Sequence, residues 1–162
     1  MGYTTPPTFV ALNVLGASQL NVLGQDIIDL DLRTRAVTAP ISTSETTTST
    51  SYTDLATLGP TVSLLTGTAA VVMVQCSITG NTVAAGNFAS VAVTGASTQA
   101  ATDLGSVSHQ VASGSLVQAS AVFLISGLTP GTNTFRMKYR VSSGTGTFAN
   151  RILTVWPAAN IS

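Results

Sequence analysis

Charge is scarce in this chain. Only 7% of its 162 residues are Asp, Glu, Lys or Arg, against about 25% in an ordinary soluble domain. Six acids balance six bases, and neither half has the basic excess of a nucleic-acid binder. Cysteine occurs once, as Cys76, which excludes an intrachain disulfide and a cysteine-based metal cluster and fits synthesis in a reducing cytoplasm. Long apolar runs are missing too. The longest, Ala69 to Val74, falls far short of the roughly 20 residues that span a bilayer. "MGYTTPPTF" has neither the basic start nor the apolar stretch of a signal peptide. Pro6 stands where a myristoylation motif needs Ser or Thr.

The same scarcity runs through the residues that carry chemistry. His109 is the only histidine, and no Gly-x-Ser-x-Gly elbow accompanies it. It falls in "LGSVSHQV", a strand pattern, and reads as a surface or subunit-contact residue. Asp29 and Asp31 are two apart on a helical pattern and point in different directions, so they form no metal pocket. Asp54, Asp103 and Glu45 are isolated, with no calcium-loop spacing. "VSSGTGTF" lacks the Lys-Ser/Thr ending of a phosphate loop and reads as a hairpin turn. Cys76, in the apolar "VVMVQCSI", reads as a small buried side chain. No enzyme, cofactor or metal site is expected.

Hydroxyls are abundant. Serine and threonine number 44, so the polar surface is mostly neutral. A surface with zero net charge promotes association, which points to one covered by partners.

Three segments emerge. Residues 1–38 form an arm that opens on an extended Pro6-Pro7 stretch and continues into a helix starting near Gly16–Ser18. Leu20, Leu23, Ile27 and Leu30 recur at spacings of 3, 4 and 3, the seam of a short coiled coil. Ile28 and Leu32 add a second strip, so the helix is apolar on more than one side and suits burial among several neighbours. Asp29 and Arg33 can pair at i,i+4. About 15 residues with Gly24 inside make a marginal helix alone in water. It either associates with copies or a larger particle, or folds back on its own domain. Residues 39–50 continue a Ser/Thr-rich, low-complexity tract, "APISTSETTTSTSYT", which reads as a linker.

Residues 51–162 read as a β domain. Strand patterns cover 61–65, 69–79, 87–94, 106–111, 115–126, 133–142 and 147–156, separated by Gly/Pro turns; "LTPGTN" suits a type II turn with Gly131 at positive φ. Short strands at this spacing predict an antiparallel β-sandwich, jelly-roll-like, so the fold class is mainly β with a short amphipathic helix in front. In "TFRMKYRV", Phe135, Met137, Tyr139 and Val141 alternate with Arg136, Lys138 and Arg140. The apolar set should join the core. The three cations are open to three readings: a solvated face, a contact with acids on a neighbouring subunit or capsid, or nucleic acid, the last disfavoured because no aromatics interleave with them.

"TPPTFVALNVLGASQLN" resembles an N-terminal segment of small structural proteins of tailed bacteriophages, with Leu12 in place of a usual glycine and Gly16 in place of a capping threonine. "SYTDLATLGPTVSL" and "GLTPGTNTFRMKYRVSSGTGTFANRILTVWP" resemble the first and last strands of the β domain that follows in such proteins. The resemblance implies a virion component made in the host cytoplasm, often a homotrimer, attached to the major capsid protein or to tail proteins, and it supplies no catalytic residues. The competing expectation is a tail-tip or fibre-type module that binds a host-surface glycan.

Overall fold

The computed structural model describes residues 16–34, 36–82, 85–110 and 114–158. Helix α1 (Ala17–Thr34) starts where its pattern starts. Gly16 occupies the N-cap: its carbonyl accepts from Gln19 and Leu20 N–H, and its own N–H donates to Gln19 Oε1 at 3.0 Å. That return bond is half of a capping box, supplied by the third helical residue when the cap itself has no side chain. The helix runs through Gly24 without interruption.

Nine strands follow: β1 (Val37–Ile41), β2 (Glu45–Thr47), β3 (Thr61–Thr66), β4 (Ala69–Gly80), β5 (Gly86–Gly95), β6 (Ser106–Gln110), β7 (Leu116–Ser126), β8 (Gly131–Val141) and β9 (Gly146–Ala158). They form two antiparallel sheets in the orders β1-β9-β4-β7, with β2 also on β9, and β3-β8-β5-β6. Apart from the β5–β6 hairpin, each connection from β2 onward crosses between the sheets. This is the jelly-roll path, two sheets wound together from paired strands. The core lies between them: Val72, Val74 and Cys76 of β4 and Leu153 and Val155 of β9 meet Ala89, Val93, Phe135, Met137 and Tyr139 from the other sheet.

The Ser/Thr-rich tract takes part in this sandwich. β1 pairs with the C-terminal half of β9, from Val37↔Val155 to Ile41↔Arg151, and β2 with its start, Glu45↔Phe148. Farther on, Ser49 O accepts Val141 N–H and Thr53 bridges Tyr139, both on β8. The tract therefore passes from one sheet to the other. Its composition hides this because backbone pairing needs no apolar alternation at an edge.

Two turns differ from their sequence reading. The segment Ser142–Thr145 joins β8 to β9, which lie in different sheets, so it is a crossover and not a hairpin turn. Gly144 has φ of 69° there, a left-handed conformation that glycine adopts without strain. Gly131 has positive φ, but at 148° it opens β8 in an extended form, away from the value near +80° of a type II turn.

Strand β9 carries an extra residue. Its register against β4 shifts between Gln75↔Ile152 and Ser77↔Ala149, and Asn150 takes φ of 46°. One inserted residue reverses which side chains face inward. Phe148 faces the core before the bulge; Arg151, Leu153 and Val155 face it afterwards.

Candidate functional site

Among the described residues, most of the α1 seam is uncovered. The helix contacts mainly β9 and β3, one strand from each sheet. Leu23 is half-buried, whereas Leu20 is 52%, Ile27 67%, Ile28 53% and Leu30 58% exposed. The side chains of Leu32, Asp29 and Arg33 lie outside the described residues. So the helix rests on its own domain along one narrow stripe and presents Leu20, Ile27, Ile28 and Leu30 outward. An isolated helix of this length gains most of its stability from packing such a surface.

The ladder on β8 behaves as its alternation predicts. Phe135, Met137, Tyr139 and Val141 are fully buried, and Arg136, Lys138 and Arg140 lie on the outer face of the β3-β8-β5-β6 sheet. The chain's own loops supply partners. Lys138 Nζ meets Asp54 Oδ2 at 2.6 Å. Arg140 holds Asp103 through two bonds, Nε to Oδ1 at 2.9 Å and Nη2 to Oδ2. Arg136 Nε donates to Thr61 Oγ1 at 3.2 Å. Acids distant in sequence thus neutralise two of the three cations.

Around Arg140 the structure gathers residues that the sequence leaves scattered. Its guanidinium sits 4.0 Å over the Phe88 ring and 5.5 Å from the Tyr52 ring. Tyr52 donates its phenol proton to Asp103 Oδ1 at 2.8 Å. The bonds from Arg140 and Tyr52 hold the Asp103 carboxyl below its ordinary pKa, and Arg140 is raised in turn. Burial, then the bond to Asp103, pushes the Tyr52 phenol up to about 12. Beside this cluster, Phe88, His109, Gln110 and Ser142 line a shallow hollow of about 300 Å³. His109 is half-buried on β6.

A second hollow, about 410 Å³, opens between β7 and residues 99–105, with Val91, Leu104, Phe123 and Ile125 among its walls. Cys76 is fully buried, and burial pushes its thiol up to about 12. It is an inert core residue, as its setting suggested.

One charged residue escaped the sequence reading. Arg151 is fully buried, its Nη2 3.2 Å from Glu45 Oε2 and 2.9 Å from Thr43 Oγ1. Glu45 also accepts from Thr57 N–H and Oγ1–H at 2.9 and 2.6 Å. Those Thr57 bonds, with Arg151, outweigh burial and lower the Glu45 pKa. The pair clamps the tract to β9. Only the bulge at Asn150 turns Arg151 inward, and an alternation count through β9 would have placed it outside.

Among the described residues no cluster of three or more His, Cys, Asp or Glu is arranged to hold a metal ion, and no helix is long and apolar enough to cross a membrane. No protein-family model matches the sequence, and no curated protein matches it. Solved structures do match the fold. The Eiger TNF structure from S. frugiperda has a TM-score of 0.51 at 12% identity, with 78% of this chain and 95% of that chain covered. A chain of infectious bursal disease virus, Gx strain, has a TM-score of 0.50 at 12% identity over 78% of this chain. This protein spans only 33% of that viral chain. At such identities the likeness is one of fold alone, a β-sandwich shared with these two chains.

Proposed function

We propose that the protein is a non-enzymatic structural component of a phage particle, a homotrimer that decorates or reinforces the capsid, with α1 as its docking and oligomerisation element. The observation that carries this reading is the uncovered seam of α1: Leu20, Ile27, Ile28 and Leu30 are more than half exposed on a helix that touches its own domain along one stripe. Apolar surface left in water costs about 25 cal/mol per Å² relative to burial, so a helix of this design is completed by a partner. The sequence resemblance to phage virion proteins supplies the particle, and the shared fold with a viral chain is consistent with it.

The test is the composition of purified particles. Mass spectrometry of virions of the encoding virus should find the chain in a fixed ratio to the major capsid protein, and Ile27→Asp/Ile28→Asp should remove it from them. A chain present in infected cells but absent from virions overturns the reading.

The glycan-binding alternative gains one specific observation. Tyr52, Phe88, Arg140 and Asp103 lie together beside the hollow lined by His109, and aromatic rings with fixed polar groups are what a sugar site requires. Binding of the full chain to host-surface polysaccharide, lost in Phe88→Ala, would favour this alternative over the capsid role.

A further inference from the structure

The α1 seam is not the only apolar surface left open. Strands β4, β7 and β9 carry apolar residues on both sides, with uncharged polar residues among the outward ones. Their inward residues fill the core, and registered pairing lines up the outward ones in rows. One row is Trp156–Val71–Leu124, the next Thr154–Met73–Val122 and the third Ile152–Gln75–Ser120. Val122 is 64% and Leu124 61% exposed; Val71, Met73, Ile152 and Trp156 are half-buried. No outward residue of β1, β9, β4 or β7 carries a charge.

Among the described residues no further strand borders this face beyond β7, although Gln99 Nε2 donates to Ser126 O at one end of it. β7 is the last strand of its sheet, 11 residues long, without a buried side chain. It contains no charge and no proline, and its register with β4 runs unbroken from Ala69↔Ser126 to Thr79↔Leu116. Exposed edges are ordinarily blunted by lysine, proline or a bulge because they template pairing with another chain. β7 has none of these.

We infer that the outer face of the β1-β9-β4-β7 sheet, together with the edge of β7, is a self-association surface covered by a second copy of this chain. Size supports it. Strands β4, β7 and β9, of 12, 11 and 13 residues, and the five-residue β1, set about 4.8 Å apart, cover roughly 650 Å². That is close to the ~800 Å² each partner buries in a stable complex. Chemistry supports a copy over a foreign partner. Partner selection by steering and register uses complementary charge, and this face offers none. Another copy brings the same uncharged rows, and the zero net charge of the chain adds no repulsion between copies. The inference concerns only how copies meet, so it stands apart from the virion reading and from the role of α1.

Light scattering on the full chain across a concentration series separates the two surfaces. The wild type should be oligomeric. Val122→Lys/Leu124→Lys should fall toward the 16.4 kDa monomer, or weaken association at least tenfold, with an unchanged circular-dichroism melt below the dissociation point. If Ile27→Asp/Ile28→Asp stays oligomeric, the sheet alone holds the copies; if it too dissociates, both surfaces are needed and the inference stands. Dissociation of the helix variant alone overturns the inference and leaves the α1 reading intact. A wild type that is monomeric throughout also overturns it. Should the lysine pair misfold, Val122→Ser/Leu124→Ser replaces it, with amide exchange of the wild type as a second readout. Slow exchange along β7 that accelerates on dilution supports the surface, and exchange as fast as a free edge at all concentrations overturns it.

Discussion

The two outer faces of the sandwich are built on opposite plans. The face of β3-β8-β5-β6 carries Arg136, Lys138 and Arg140, and loops bring Asp54 and Asp103 to meet them. The face of β1-β9-β4-β7 carries no charge, and the charged residues of its described strands, Arg151 and Glu45, point inward at each other. The first face finishes its electrostatics within the chain and can stand in water. The second leaves Val122 and Leu124 exposed in uncharged rows, the surface inferred above to meet another copy. Of the seven charged residues that the sandwich carries, five gather at the first face, which makes the other side sticky by default.

The largest effect should come from the inward pair. Glu45→Ala leaves Arg151 buried without its counter-ion, and breaking a buried pair from one side costs about 3–5 kcal/mol. For a chain of this size that lowers Tm by on the order of 10 °C. Glu45→Ala/Arg151→Met should recover most of the loss, because an apolar side chain of similar volume needs no partner. Thermal melts of the two variants check this; a double variant no more stable than Glu45→Ala would mean that Arg151 holds the fold through contacts other than its charge.

The outward pair should matter less. Asp103→Asn frees Arg140 at an exposed site, where an ion pair is worth about 0–1 kcal/mol. Tyr52 should then titrate lower, though still above 10 since burial is the larger cause of its shift. Acid sharpens the contrast between the pairs. Both Asp103 and Glu45 have folded pKa values below their ordinary 3.8 and 4.5. Their contribution is complete above those ordinary values and is lost as pH falls through the depressed folded ones. Denaturation midpoints measured from pH 6 to pH 2 should therefore fall at the acid end. Asp103→Asn should flatten that fall slightly, and Glu45→Gln should flatten it more.

These contrasts were unevenly legible in the sequence. Seven strands announce themselves by turns and apolar runs, because Gly and Pro punctuate the chain where it reverses. β1 and β2 do not, since Pro40 and a run of hydroxyls mimic a linker until a long partner strand pairs with them. The alternation around Tyr139 gives the inward set correctly, but the acids opposite Lys138 and Arg140 come from residues 84 and 37 positions earlier, a juxtaposition only topology creates. Arg151 was hidden by the one-residue bulge. The uncharged face was hidden by its own strength: "AAVVMV" and "AVFLI" are apolar on both sides, which a sequence reader takes for core.

The smallest effect is assigned to Arg136, and it is the most informative about the first face. Its side chain donates to Thr61 Oγ1, and among the described residues no carboxylate forms an ion pair with it. Arg136→Ala should change stability by no more than about 0.5 kcal/mol in either direction, as surface substitutions do. Lys138→Ala should cost slightly more because it strands Asp54. If Arg136→Ala is silent in the melt and in oligomer mass yet weakens attachment to the particle, the face is self-neutralised except at one cation kept for a partner's acid. If it is silent everywhere, the ladder is a solvated face, and attachment rests on the helix without it.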